Sequence, residues 1–416
     1  MTQKLYHKNF IILVLGQIIS LFGNAIQRFA LSLYLLDLTG SAAIFATILA
    51  LSMIPVVVLA PIAGMLADRG NKKKAMVFLD LLSGSLLLLY VTVGLHCDEQ
   101  TLVITILMIL LSAIATIYQP VVNTSIPLII PKEELVRANA IIQQVASLSN
   151  FLGPILAGVL YGVLGIRGVV IFNLISFFFS AGMELLLQIP HKKVTRNSSF
   201  RQAFLMDMKV SYQFLRYENP IVFRMLLFSG FYNLFLVPVF SVVAPYLIKI
   251  TFGLSSEVYG IVEGGIALGM ILGGALIGWK PRQFHIKRVH RLLYLTALAM
   301  FLMAGTLFGF GTDLLNALQS TIVFTGAGML IMGVLGVANV LTAAYLYQAV
   351  AVEKLGKVLA FGSAFATCCI PLGQLLFGNL LELFRERLWS LLLFAGVAVF
   401  VVTLLVRWNV RQIPEE

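Results

Sequence analysis

The chain alternates long apolar runs with short charged loops, and the length of those runs limits it to one kind of architecture. Runs of membrane-spanning length lie at about 9–35, 42–67, 74–95, 101–125, 138–163 and 166–189. After a polar stretch, six more occur at about 220–248, 256–279, 289–312, 315–347, 356–381 and 387–408. Each is close to the ~20 residues or more that a helix needs to cross the hydrocarbon layer. Transmembrane barrels use ~10-residue strands of alternating hydropathy, and these runs do not alternate. Inside lipid a helix satisfies all its own backbone hydrogen bonds. The expectation is therefore an all-α membrane protein of twelve helices in two six-helix bundles. Composition agrees: only 11% of the 416 residues are charged, against ~25% in a soluble domain, and mean hydropathy is +0.97.

The formal net charge is +11. Nucleic-acid binding would need those cations gathered on one water-facing surface, whereas here they fall in short loops. One set of loops carries most of them, including Arg69, Lys72, Lys73, Lys74, Lys132, Arg137, Lys192, Lys193, Lys280, Arg282, Lys287, Arg288, Lys354 and Lys357. The opposite set holds only Arg167, Lys249, Arg385 and Arg387. Positive charge marks the cytoplasmic side, so both termini are expected there, with the first helix retained rather than cleaved. The three cysteines, Cys97, Cys368 and Cys369, have neither metal nor disulfide spacing. No catalytic or nucleotide-binding motif is present, and no cofactor or metal is expected. These absences argue against an enzyme or an ATP-driven pump.

Three segments are expected: a bundle over 1–190, a cytoplasmic linker over 191–219, and a second bundle over 220–416. In the linker, Phe200, Phe204, Met208, Tyr212 and Leu215 recur at helical spacing, with Arg201, Lys209 and Arg216 off that stripe. Two readings stay open for it: an amphipathic helix on the membrane surface, or a solvated charged linker. The halves also echo each other. Gly64-Met-Leu-Ala-Asp68-Arg69 has a counterpart in Gly274-Ala-Leu-Ile-Gly278, and Gly153-Pro154 in Pro371-Leu-Gly373. Weak internal symmetry of this kind is the transporter pattern.

The stretch from Gly64 through Asp68 and Arg69 to Lys72, Lys73 and Lys74 resembles the loop 2–3 signature of the major facilitator superfamily. Gly64 is expected to let helices approach closely. The resemblance implies that Asp68 pairs with the cytoplasmic end of the eleventh span, near Gly356, and so holds a gate. More narrowly, the chain resembles bacterial drug exporters of the macrolide-efflux type. That likeness rests on Gly16-Gln-Ile-Ile-Ser20, Leu38-Thr-Gly-Ser41, Tyr118-Gln-Pro120, Ile126-Pro-Leu-Ile-Ile-Pro131, Ala138-Asn139 and Gly153-Pro154. It implies a monomeric transporter in a bacterial plasma membrane, exporting amphipathic small molecules by alternating access. Protons are the expected counter-ion. Asn24 stands where many related exporters carry an aspartate, and residues 104–117 hold no basic side chain. Both departures bear on how protons would be coupled.

Ionisable groups inside spans are expensive and therefore functional candidates. Glu263, ~10 Å into the eighth span by helical rise, is the proton-coupling candidate; the alternative is a structural ion pair, for example with Arg28. Asp80 and Glu184 lie near cytoplasmic helix ends and read as interfacial, snorkelling side chains. In the first span Gln17, Ser20, Asn24 and Arg28 share one face. The resembled fold puts spans 1, 4, 7 and 10 around a central cavity, so Gln119, Asn123, Asn233 and Asn339 join them as substrate-cavity candidates. Interhelical hydrogen bonding is the other reading of these polar groups. A lipid or siderophore exporter of the same fold, and a membrane sensor that moves nothing, are the competing functions.

Overall fold

The structure, a computed structural model, describes residues 8–190 and 200–413. Among these residues it is helical, with no strand. Before the linker come α1 (Lys8–Thr39), α2 (Ala42–Arg69), α3 (Lys72–Thr92), α4 (Gln100–Ile129) and α5 (Leu135–Glu184). The linker holds α6 (Phe200–Gln213). Beyond it lie α7 (Pro220–Pro238), a single turn α8 (Ala244–Tyr246), α9 (Ser256–Trp279), α10 (Val289–Gly311), α11 (Ala317–Ala349), α12 (Val352–Leu383) and α13 (Leu388–Val410). Wide π-helical turns over Val239–Val243 and Leu247–Thr251 join α7 and α8 into one crossing.

Eleven helical stretches among the described residues are long and apolar enough to cross a membrane. The 50-residue α5 contains two of the expected crossings. Gly165, at φ 63° and ψ −177°, interrupts it. A side chain would be strained at that φ, so glycine is the residue that can turn the chain there. The break falls between the fifth and sixth apolar runs, and the twelve crossings are accounted for.

Loop polar residues start the helices. The Asn71 side chain accepts from the Lys74 backbone N–H at 3.1 Å and caps α3 within the basic loop. Asn316 and Gln319 form a reciprocal capping box at α11. Asn219 caps α7 with Pro220 in the first turn, where its missing N–H has no cost.

The helices form two compact units. Within the described residues, the first comprises 8–39, 51–190 and 256–261, and the second 40–50, 200–255 and 262–413. The first core gathers Phe10, Leu13, Met76, Leu79, Tyr118, Val122 and Ile126. Also in the first unit, the opening turn of α9 lies against α5. A Cβ on Gly260 would stand 2.6 Å from the Pro154 carbonyl oxygen, so only glycine admits this approach. Phe29 stacks on Tyr259 there, with ring centroids 4.8 Å apart.

The second core gathers Leu215, Val222, Phe223, Leu226, Leu346 and Val358. Within this unit the Glu382 carboxylate of α12 accepts from Ser41 Oγ and, at 3.2 Å, from the Ala43 backbone N–H. A carboxylate at the start of α2 complements the helix dipole. The linker does form a helix. Just beyond it Leu215 is buried, and Tyr212 meets Phe223 edge-on at 5.7 Å. The side chains of Phe200 and Phe204 lie outside the described residues.

Candidate functional site

Four crossings of the first unit bring polar side chains into its interior. Gln17 and Ser20 lie one turn apart on α1 and therefore point the same way. Asp80 comes from α3, beyond its basic start. Tyr118 comes from α4 just before Pro120, and Ser180 and Glu184 come from the last turns of α5. All six are buried: Gln17 is 0% exposed, Asp80 2% and Glu184 2%.

Their hydrogen bonds form one connected chain. Tyr118 donates to Glu184 Oε1 at 2.6 Å, and its oxygen accepts from the Gln17 amide at 3.2 Å. Ser20 donates to Asp80 Oδ2 at 3.2 Å. Its oxygen lies 3.0 Å from Ser180 Oγ and 3.4 Å from the Tyr118 hydroxyl. Each hydroxyl supplies a single hydrogen, and four carboxylate oxygens compete for few donors. Glu184 Oε2 and Gln17 Oε1 are buried with no hydrogen-bond partner.

Among the described residues, neither carboxylate bonds to a Lys, Arg or His side chain. Placing one acidic side chain in a membrane interior costs ~2.5–3.5 kcal/mol on insertion scales. Two acids thus share one interior, with no cation among the described residues bonded to either. The interfacial, snorkelling position expected for Asp80 and Glu184 is not what the structure shows. Both side chains turn inward, because hydroxyls at their own depth offer hydrogen bonds that lipid cannot.

The other sequence candidates are more scattered. Gln17 and Ser20 belong to the interior cluster rather than to an exposed face. Asn24 is half-buried and bonds the Ser20 carbonyl of its own helix at 2.8 Å, while Arg28 is exposed. Gln119 is half-buried, and Asn123 and Asn339 are exposed. Asn233 donates to the Ala366 carbonyl at 3.1 Å, an interhelical bond within the second unit. Glu263 is half-buried on α9 and does have an interaction partner.

Gly153 packs tightly: a Cβ there would stand 2.6 Å from Ala25 Cβ. Gly64 differs from its expectation. No described atom lies within 4 Å of a Cβ placed on it, and the same holds for its echo Gly274. Close helix contacts fall at Gly153 and Gly260 instead. The side chains of Asp68 and Arg69 lie outside the described residues; their backbone closes α2.

The sequence matches the profile of the Major Facilitator Superfamily over residues 13–367. Macrolide efflux protein A of Streptococcus pyogenes is 25% identical over 377 residues, covering 91% of this chain and 90% of that protein. Its namesake from Enterococcus faecalis is 26% identical over 58% of this chain and 73% of its own length. Among solved structures, a bacterial homologue of the iron transporter ferroportin superposes with a TM-score of 0.73 at 17% identity. That match covers 96% of this chain and 98% of the other. The D-xylose-proton symporter superposes with a TM-score of 0.71 at 12% identity, over 95% and 96% of the two chains. At such identities these structures speak for the fold. A helical multi-pass architecture, a profile covering most of the sequence and full-length relatives lead to one conclusion: the chain belongs to the major facilitator superfamily and is a membrane transporter, not an enzyme.

Proposed function

We propose that this transporter exports amphipathic small molecules of the macrolide kind across a bacterial plasma membrane, by alternating access and in exchange for protons. Both termini are assigned to the cytoplasm, and the transporter acts as a monomer. The observation that carries the reading is the similarity to macrolide efflux protein A over 90% of that relative's length. The loop charge asymmetry supports the orientation. Polar groups exposed in each unit, Arg28 and Asn123 in the first and Asn339 in the second, are available to a ligand with scattered hydroxyls and ethers.

Within this reading Asp68 and Arg69, with Gly64, form the conformational gate. Gly153 and Pro154 shape the helix contacts that the cycle must preserve. Glu263 is the proposed proton-coupling carboxylate of the second unit, because an ionisable group at its depth is costly unless used.

The test is efflux in a macrolide-sensitive, efflux-deficient bacterial host. The wild type is expected to raise resistance and lower macrolide accumulation, and Asp68→Asn to lose most of that effect at equal expression. No change in accumulation of any amphipathic probe would overturn the export reading. Full export by Glu263→Gln under a proton gradient would remove Glu263 from the coupling scheme and leave export itself standing.

A further inference from the structure

The acid pair in the first unit has no role in that coupling scheme. We propose that Asp80 and Glu184, joined through Ser20 and Tyr118, form a second proton-binding site, loaded and emptied during the transport cycle. The proposal rests on the proton-exchange part of the functional reading, and its site is independent of Glu263.

The α1 helix contributes only Gln17 and Ser20, which are neutral; α3 contributes Asp80, α4 Tyr118, and α5 Ser180 and Glu184. Among the described residues the titratable neighbours of each acid are the other acid and the Tyr118 hydroxyl. With no Lys, Arg or His among the described residues bonded to either, the neutralising charge at hand is a proton.

The hydrogen count agrees. Ser20 and Tyr118 give their single hydrogens to Asp80 and Glu184, and Glu184 Oε2 remains buried without a donor. An added proton on Glu184 or Asp80 needs no new space. It can also be handed along the oxygens of Ser20 and Tyr118, which stand 3.4 Å apart between the acids.

In balance, one proton binds to a carboxylate oxygen from the outer medium and leaves to the cytoplasm as cargo moves out. No covalent bond between heavy atoms changes. The position near the inner helix ends suits release: Glu184 is the last residue of α5, and α3 begins at Lys72, about two turns before Asp80.

The test uses the full-length purified protein and needs no knowledge of the cargo. Infrared difference spectra between acid and alkaline buffer should show a protonated-carboxyl C=O band in the wild type. That band should shrink in Asp80→Asn and in Glu184→Gln, and shrink further when both are replaced. A wild-type band fully kept by the Asp80→Asn/Glu184→Gln double variant would overturn the site.

The second arm measures macrolide-induced proton release from everted vesicles. Glu184→Gln should lower it by ~10-fold, within the ~5–150-fold span of typical coupling, and Glu184→Asp should recover much of it. Loss of the band with full proton release would leave a proton site that does not couple, which sinks the transport role. A wild type that moves no macrolide would defeat the export reading, and the infrared titration would still decide the site. Melting curves in detergent exclude variants that fail to fold, with either single variant standing in for a failed double.

Discussion

Two helix junctions, one in each unit, are built to the same plan and filled with different chemistry. In the first unit, the first, third and sixth crossings meet through Ser20, Asp80 and Ser180. In the second unit, the corresponding crossings α7, α10 and α13 meet through Tyr232, Thr296 and Thr403. The second junction closes on itself. Thr296 donates to the Leu293 carbonyl at 2.7 Å and Thr403 to the Val399 carbonyl at 2.8 Å. Tyr232 then donates to Thr403 at 2.6 Å. Each of these three hydroxyl hydrogens has an acceptor, and none of the groups titrates at working pH. The first junction carries an acid, Asp80, and a second acid, Glu184, stands one step away through Tyr118 with its Oε2 buried and without a donor. Packing alone therefore does not require acids at this place. The second unit achieves the same helix contacts without them.

The largest expected effect comes from moving the first unit's chemistry into the second. Thr296→Asp places a carboxylate at a fully buried position. It should cost ~2.5–3.5 kcal/mol, the scale for an acid inside a membrane, and show as poor expression and a sharply lower melting temperature. If Thr296→Asp melts like the wild type, the second junction is as permissive as the first and the contrast fails. Next in size is Tyr118→Phe. It removes the donor to Glu184 Oε1 and the acceptor of the Gln17 amide, leaving buried polar atoms unpaired at ~1–3 kcal/mol. Unchanged stability would mean that water or a rearranged Ser20 replaces the hydroxyl. The reverse exchange, Asp80→Thr, should change stability by under ~1 kcal/mol or raise it, since neutral groups often replace buried charge without loss. It is expected to shrink the infrared carboxyl band as Asp80→Asn does, while the protein still folds.

How much of this was legible in the sequence depends on range along the chain. Helix existence was legible, because a run of ~20 apolar residues has no other stable form in lipid. The gap between the runs ending near 163 and starting near 166 was visible, and the positive φ of Gly165 shows how the chain turns within it. The shared face of Gln17, Ser20 and Asn24 was also legible, since the helical repeat fixes it. What faces that stripe was not. A polar face turned toward an open cavity and one turned toward a neighbouring helix have the same periodicity. Only the third dimension separates Gln17, bonded to Tyr118 from 101 positions away, from a ligand contact. Asp80 and Glu184 misled for a related reason: nearness to a helix end suggests an escape to water. One clue was available. Ser20 and Tyr118 lie at a depth similar to the acids, so polar partners from two other crossings share their layer, with Ser180 one turn before Glu184 on its own crossing. Gly64 shows the opposite limit, where a motif fixes a residue's place in the sequence but not the state in which it makes contact.

The smallest effect is expected from Tyr232→Phe, and it is the most discriminating. Removing this hydroxyl takes away its bond to Thr403 and its weaker contact with Thr296, and leaves both threonines bonded to backbone carbonyls. No buried donor is orphaned, so the cost reduces to the bond itself, ~0.6 kcal/mol for a side-chain bond between membrane helices. Tyr118→Phe removes the same atom from the same residue type and should cost several times more, because its partners have nowhere else to turn. Measured side by side in one detergent, the two substitutions separate a hydrogen bond that supports packing from one that holds a charged network together. Equal costs would show that the acids in the first unit are as well satisfied as the threonines in the second. The case for a proton as their missing partner would then lose its physical basis.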